Sequence, residues 1–414
     1  MVSLRWSFKY ISVEEAQRII DKLVSQPLGV EDVDISSAYR RVLAEDVVSR
    51  VDVPTHDVTH FDGYALRTSD VRGASPSSPV KLRIKGRAYP STPRPDVIDA
   101  GEALYVTTGS WLPVNADGVL PVEAAIVREG YLEVKYAVKP GEHVIKAGSD
   151  VKRGEVILRR GSRLRGQDLT LLTLLGYGKV KVYRRPKVGV ISVGDELTED
   201  YEHVEPGKTP NGHALMICSF VERDGGVSMN MGIVRDDPEE IKEVVGKALE
   251  SCDVVVTISG ASKGEKDYVE GVLNELGEPG VVFHGLKIKP GRQTGFAMVG
   301  SKPIVMLPGL CHSTIVGYQV VASRVIRNML GLVVDHEKPL KVKVAVDVKL
   351  PQPKGFKRVL FMRVESVEGE LLAWPLMGES ALVSIPVRAY GYVVFSEGLE
   401  EVPKGSLVDL YPLM

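Results

Sequence analysis

Between residues 186 and 332 the chain alternates short, almost wholly apolar runs with segments of helical periodicity, and this alternation restricts the fold more than any other feature. The runs VGVIS (188–192), VSMNMGIV (227–234), DVVVTIS (253–259) and PIVML (303–307) are near-continuously apolar. Strands apolar on both faces belong in a parallel sheet covered on both sides. Helical stretches predicted over 211–223, 238–250, 266–276 and 312–330 supply the cover. The expectation is a central doubly wound parallel α/β domain.

In such a sheet, ligands bind beyond the carboxyl ends of the strands, so the residues that follow each run carry the functional information. The first run exits into Gly194, Asp195 and Glu196. The second exits into Asp236 and Asp237, ahead of a helix starting near Pro238. The third exits into SGASKGEKD, with Ser259, Gly260, Ser262, Lys263, Gly264 and Asp267. The last exits into LPGLCHS, with Pro308 and Gly309 before a helix. Glycines admit a ligand to the backbone, helix N-termini favour anions, and Ser and Lys complete a rim suited to phosphate.

Each feature also has a plainer explanation. Asp236 and Asp237 fit ordinary helix capping, and Gly260 and Gly264 fit simple turns. Asp62, in THFDGYALR, and Asp150, in KAGSDVKRG, are by themselves turn aspartates. The segment KIKPGRQTG (287–295) is either a solvated hairpin or a cationic clamp on an oxyanion. GASKGEK has the spacing of neither G-x-G-x-x-G nor a Walker loop, which removes the dinucleotide and P-loop readings.

At 414 residues the chain needs several cores. A helix is predicted over 12–24, with Ser12 as N-cap and Glu15 completing a capping box. A second short helix is predicted within SSAYRRVLAED (36–46). From about 70 to 160, short β-rich pieces between Pro, Gly and Ser clusters indicate a small all-β module. A helix in GQDLTLLTLLGYG stops at Gly176, and the strand KVKVY follows. Beyond about 335 the chain is β again, as a barrel or sandwich. The division is therefore 1–52 with 151–185 as a helical linking region, 53–150 as an inserted β domain, 186–333 as the α/β domain and 334–414 as a C-terminal β domain. A net charge of −2 gives no global attraction to nucleic acid or anionic membrane. No run approaches a membrane span or a signal peptide, and Cys218, Cys252 and Cys311 match neither a disulfide framework nor zinc spacing. A cytoplasmic protein is expected.

Taken together and in order, AYRRVLAEDVVSRVDVP, FDGYALR, YVTTGSWLP, GSDVKRGEVIL, LRGQDLTLLTLLGYGKVKVYRRPKVGVISVGDEL, GIVRDDPE, GEKDY, FHGLKIKPG and LPG resemble the molybdopterin molybdenumtransferase family, to which MoeA and the gephyrin E domain belong. The resemblance covers essentially the whole chain. It implies a four-domain protomer and a homodimer in which the β domain of one subunit faces the α/β domain of the other. It also implies molybdenum cofactor biosynthesis: adenylylated molybdopterin and molybdate (or tungstate) as substrates, Mg²⁺ or another divalent cation, cleavage of the phosphoanhydride and release of AMP. By position, Glu196 would be the main catalytic carboxylate, completed by Asp62 and Asp150 across the dimer. Asp62, Glu196, Asp236 and Asp267 would hold metal. Thr108, Gly194, Asp195, Asp236, Ser262, Gly264, Asp267, Lys289, Gly291, Arg292, Pro308, Gly309, Arg358 and Ser380 would bind substrate. Contact with the adenylylating enzyme of the pathway is implied as well.

The chain departs from the family pattern at the rim of this site. P-G-N-P-V-S reads PGLCHS here, K-P-G-K-P reads KPGRQ, S-G-G-V-S reads ISGAS, and Thr-Asn before the helix at 211 reads Pro210–Asn211. The acids are intact while the periphery is altered. A second reading is therefore a non-catalytic molybdopterin-binding or scaffolding paralogue, and AMP release discriminates between the two. An unrelated nucleotide-binding α/β enzyme is disfavoured by the absent phosphate fingerprints.

Overall fold

The four apolar runs do enter one sheet. The computed structural model describes residues 10–92, 96–260, 268–333, 339–350 and 355–413. The sheet has six strands: β1 (Lys187–Val193), β2 (Val227–Val234), β3 (Val254–Ile258), β4 (Pro279–His284), β5 (Gly295–Val299) and β6 (Lys302–Leu307), in the order β2-β1-β3-β6-β5-β4. The strands read from the sequence, β1, β2, β3 and β6, are parallel, whereas β5 pairs antiparallel with both β6 and β4 and makes the sheet mixed. The reason is local. Val299 pairs with Lys302, so only two residues join β5 to β6, too few for the crossover a parallel neighbour needs.

Alternation along β1 divides its side chains between two cores, as the pleat requires. Val188 and Val190 join one core with Ala214, Ile217 and Val221 of α3 (Gly212–Asp224). Ile191 and Val193 join the other, with α4 (Pro238–Ser251) and α5 (Val269–Leu276). The predicted helix over 312–330 is present as Cys311–Gly317 and Ser323–Met329, joined through a π-helical turn. The N-terminal helix, Val13–Leu23, is capped as expected by Ser12 Oγ, which accepts from the Glu15 amide at 3.1 Å. Its residues Val13, Ala16 and Ile20 pack into the α/β core, and Asp21 is clamped by Arg324.

The second predicted helix does not form. SSAYRRVLAED holds only the end of a 3₁₀ turn, Ile35–Ser37, and then runs irregular and extended. Val42 and Leu43 must enter two different cores, which extended backbone achieves by sending consecutive side chains to opposite sides. The linking region is completed by the pair 30–34 with 179–183, the pair 47–48 with 156–158, and a helix over Gly166–Leu174.

The inserted β domain is a six-stranded sheet between Gly63 and Val134. In the C-terminal domain, five strands between Leu340 and Pro412 close into a barrel. Ile288–Lys289, from the loop after β4, adds to this barrel beside Lys357–Arg358. That ladder ties the α/β and C-terminal domains together. Among the described residues no helix is long and apolar enough to cross a membrane.

Candidate active site

The exit of β1 is built around Glu196. A Cβ on Gly194 would lie 2.5 Å from Glu196 Oε2, so the missing side chain makes room for the carboxylate to fold back over the strand end. The loop is held by a short parallel ladder, Leu197 with Thr209 and Thr198 with Pro210. Within it, the Thr209 amide donates to the Glu196 carbonyl at 2.7 Å. The neighbouring exits are tied to each other. The Asp195 amide donates to Asp236 Oδ2 (3.2 Å) and the Asp236 amide donates to Asp195 Oδ1 (3.3 Å).

This exchange separates two acids that look alike in sequence. Asp237 is the N-cap of α4 and accepts from the Glu239 and Glu240 amides, both at 3.0 Å. Asp236 does no capping and stays beside Asp195. At the exit of β3, Ser259 and Gly260 are consecutive left-handed residues, with φ of 71° and 72°. Ser259 holds this conformation where the family pattern has glycine. A Cβ on Gly309 would lie 3.0 Å from Ser259 Oγ, so the exits of β3 and β6 are in close contact. The Pro308 carbonyl accepts from Thr314 Oγ1 at 2.6 Å, which fixes the start of the following helix. Ser262, Gly264 and Asp267 lie outside the described residues.

Asn211 was not among the expected site residues. It is the N-cap of α3 and is buried, yet its side chain does not cap the helix. Its Oδ1 instead accepts from Ser192 Oγ at the end of β1 (2.8 Å), and its amide donates to Thr198 O (2.9 Å). Nδ2 has no partner. A buried unmade hydrogen bond costs about 1–3 kcal/mol, so this donor beside the Glu196 loop marks a position for a ligand acceptor. In the sequence Asn211 was visible only as part of a departure from pattern.

Asp62 and Thr108 meet in the β domain. Asp62 Oδ1 accepts from the Thr108 amide (2.7 Å) and from Thr108 Oγ1 (2.8 Å), and these bonds hold the Asp62 carboxyl below its ordinary pKa. Asp150 sits in an exposed turn, its amide donating to Val53 O at 3.0 Å. Among the described residues neither acid has a hydrogen bond or ion pair to the α/β domain. Among the described residues no three His, Cys, Asp or Glu side chains converge on a cation position.

The cationic loop lies on the seam between domains. Lys289 pairs with Arg358 in the ladder to the barrel. Gly291 (φ 103°) lies so close to Val316 that a Cβ would come within 3.0 Å of its Cγ1. Arg292 is exposed, and its carbonyl accepts from Leu286 at 2.8 Å. Along the seam a cavity of about 210 Å³ is lined by Pro290, His312, Arg358, Phe361, Glu379 and Ser380. Arg358 is half-buried, and burial lowers its pKa against a weaker opposing pull from Glu379. No carboxylate forms an ion pair with it among the described residues. A partly desolvated guanidinium with no ion-pair partner among the described residues, facing a cavity it shares with Glu379, is a candidate site for an anion. His312, the other polar ring of this wall, was also not foreseen.

Sequence comparison bears on the whole arrangement. Three family profiles match in order: the MoeA N-terminal region (domains I and II) over residues 11–176, a probable molybdopterin binding domain over 189–328, and the MoeA C-terminal region (domain IV) over 343–413. A protein of Methanocaldococcus jannaschii assigned to molybdopterin biosynthesis is 31% identical across 97% of this chain and 98% of its own. The chain belongs to the MoeA family. The molybdopterin molybdenumtransferase of Bacillus subtilis is 27% identical across 97% of this chain and 93% of its own. Among solved structures, the MoeA molybdopterin biosynthesis protein of Pyrococcus horikoshii superposes with a TM-score of 0.80, at 31% identity, over 98% of this chain and 100% of that one. In MoeA terms the strand exits lie in the molybdopterin-binding domain, Asp62 and Thr108 in the N-terminal region, and Arg358 and Ser380 in domain IV.

Proposed function

We propose that this chain is a molybdopterin molybdenumtransferase, acting in molybdenum cofactor biosynthesis on adenylylated molybdopterin and molybdate or tungstate. The observation that carries this reading is the unpaired Arg358 guanidinium in the seam cavity, one strand pairing away from Lys289. A tetrahedral oxyanion would supply the ion-pair partner that Arg358 lacks among the described residues. The pterin substrate would lie along the exits of β1, β2, β3 and β6. There Asn211 Nδ2 offers a donor beside the Glu196 loop.

In this scheme Glu196 orients the nucleophile that opens the phosphoanhydride, and AMP leaves. Asp195 and Asp236 hold the two strand exits in register through their exchanged amide bonds. The donors at the site are carboxylate oxygens, the ligand type that suits Mg²⁺, and Glu196, Asp236 and Asp267 with Asp62 are the residues that would hold it. When bound, the cation would offset negative charge on the phosphate oxygens. Asp62, already held ionised by Thr108, and Asp150 would reach the site from the β domain of a second subunit, making the protein a homodimer. We further place it in the cytoplasm, receiving its substrate from the adenylylating enzyme.

The deciding experiment incubates the protein with adenylylated molybdopterin, Mg²⁺ and each oxyanion, and measures AMP and metallated cofactor. AMP release coupled to metal insertion is expected. Tight pterin binding with no AMP would make the chain a binding or scaffolding paralogue instead.

A further inference from the structure

The wall of the seam cavity that carries Ser380 is weakly held by its own domain. From Met377 to Ser384 every residue except Ser380 is exposed, and the segment's own bonds are short-range, Leu382 N to Glu379 O (3.0 Å) and Ile385 N to Leu382 O (3.2 Å). Ile385, just beyond it, is buried in the α/β core cluster, and the polar bonds that fasten the segment itself to the α/β domain come from His312. The His312 amide donates to the Ser380 carbonyl at 3.0 Å. Its ring Nε2 lies 2.9 Å from the Leu382 carbonyl, and because a carbonyl only accepts, Nε2 carries the hydrogen. The ring stands edge-on to Phe361 of the barrel, with centroids 4.8 Å apart. His312 is itself buried, and burial together with the nearby Arg358 keeps the imidazole below its ordinary pKa. It therefore serves as a neutral donor and adds no second charge beside Arg358.

We propose that His312 is a positioning residue for the oxyanion: by pinning the Ser380–Leu382 wall to the α/β domain it sets the shape of the cavity around Arg358, and with it the affinity for molybdate or tungstate. The inference rests on the reading of that cavity given above. It is particular to this chain, because the pattern P-G-N-P-V-S places a valine, with no donor, where His312 stands. The backbone bond to Ser380 would survive any substitution at 312, while the ring bond to Leu382 and the contact with Phe361 would not.

The test titrates full-length protein with molybdate alone and tungstate alone, and in parallel measures KM for each substrate of AMP release. His312→Ala should weaken oxyanion binding about tenfold, equivalent to about 1.4 kcal/mol. KM for adenylylated molybdopterin should stay within twofold of wild type, and the melting temperature within a few degrees. His312→Gln places an amide N–H where Nε2 stood and should recover affinity to within about threefold of wild type. Should His312→Ala fail to fold, His312→Val, which fills the wall without a donor, carries the same expectation. Oxyanion affinity within twofold of wild type in the variant without a donor would overturn the proposal. So would a Gln variant no better than Ala or Val, or a parallel rise in both KM values, which marks general loosening. If wild type binds oxyanion but releases no AMP, the reaction fails while the titrations still decide His312. If it binds neither oxyanion, both fall.

Discussion

Arg358→Leu should move stability and function in opposite directions. The guanidinium is half-buried, pairs with no carboxylate, and has its charged form disfavoured by burial. Removing it relieves part of a desolvation cost and leaves an apolar side chain at the cavity wall. Because the group is substantially solvated, that relief is discounted heavily and amounts to between zero and about 1 kcal/mol. For the oxyanion the balance is reversed. Each hydrogen bond from a charged donor is worth about 1.5–3 kcal/mol, so losing one raises the oxyanion KM about 10–150-fold, and losing a bidentate pair falls at the upper end. Arg358→Lys keeps the charge but loses the fork and should fall between. The assays are a denaturant melt and the molybdate dependence of AMP release. A multidomain chain does not unfold in two states, so the comparison is of midpoints between variants. A midpoint lowered by the equivalent of more than about 2 kcal/mol would show that Arg358 is structural. A molybdate KM changed by less than threefold would remove the anion from the cavity.

Glu196→Gln should cut AMP release below a tenth of wild type, more than about 1.4 kcal/mol of barrier, with pterin binding and melting temperature nearly unchanged; retained activity refutes its role. Mixing inactive Asp62→Ala with inactive Glu196→Gln protomers should restore activity, since a mixed dimer holds one site with neither defect, and no recovery despite verified exchange would count against a shared site. Asn211→Asp keeps the acceptor for Ser192 but replaces the buried Nδ2 donor with a carboxylate oxygen, and should raise KM for adenylylated molybdopterin at least tenfold; an unchanged KM would make Asn211 purely structural. Glu270 is bonded to His284 Nδ1 at 2.6 Å, which holds its carboxyl below the ordinary 4.5. Its contribution is therefore complete above pH 4.5 and lost as pH falls toward the depressed folded value, so Glu270→Gln should be less stable than wild type at neutral pH and the gap should close in acid, as pH-dependent melts would show.

What could be read from the sequence was what a strand or a helix end declares locally. The near-continuous apolar runs fix β1, β2, β3 and β6, and the rule that ligands gather past carboxyl ends points to Gly194, Glu196, Asp236 and Gly309 without coordinates. The steric reason for Gly194 was not legible, because it depends on a carboxylate two residues on that folds back over it. Asp236 and Asp237 could not be told apart, since either fits before Pro238; the structure separates them by which one the α4 amides reach. β4 and β5 escaped notice because their apolar runs are bounded by glycines, Gly280 and Gly285 for the one and Gly295 and Gly300 for the other. SSAYRRVLAED carries good helix formers, but tertiary demand to bury Val42 and Leu43 in separate cores overrides that propensity.

The seam was the least legible part, for a physical reason. Lys289 and Arg358 are neighbours only through a ladder between segments 69 residues apart, and nothing local in either segment announces the pairing. His312 looks like a loop histidine until the Ser380–Leu382 wall is folded onto it. Asp62 raises the complementary problem. Its Oδ1 is doubly engaged by Thr108 while the loop beside it leaves Phe61 41% exposed, ringed edge-on by His60 and His143. An ionised acid next to an uncovered aromatic is better suited to a surface that meets another than to one facing water. Among the described residues the acids are divided between this surface and the strand exits, with no hydrogen bond joining the two sets. The proposed sharing of sites between subunits therefore draws on the family resemblance together with this uncovered face, and protomer mixing tests it directly.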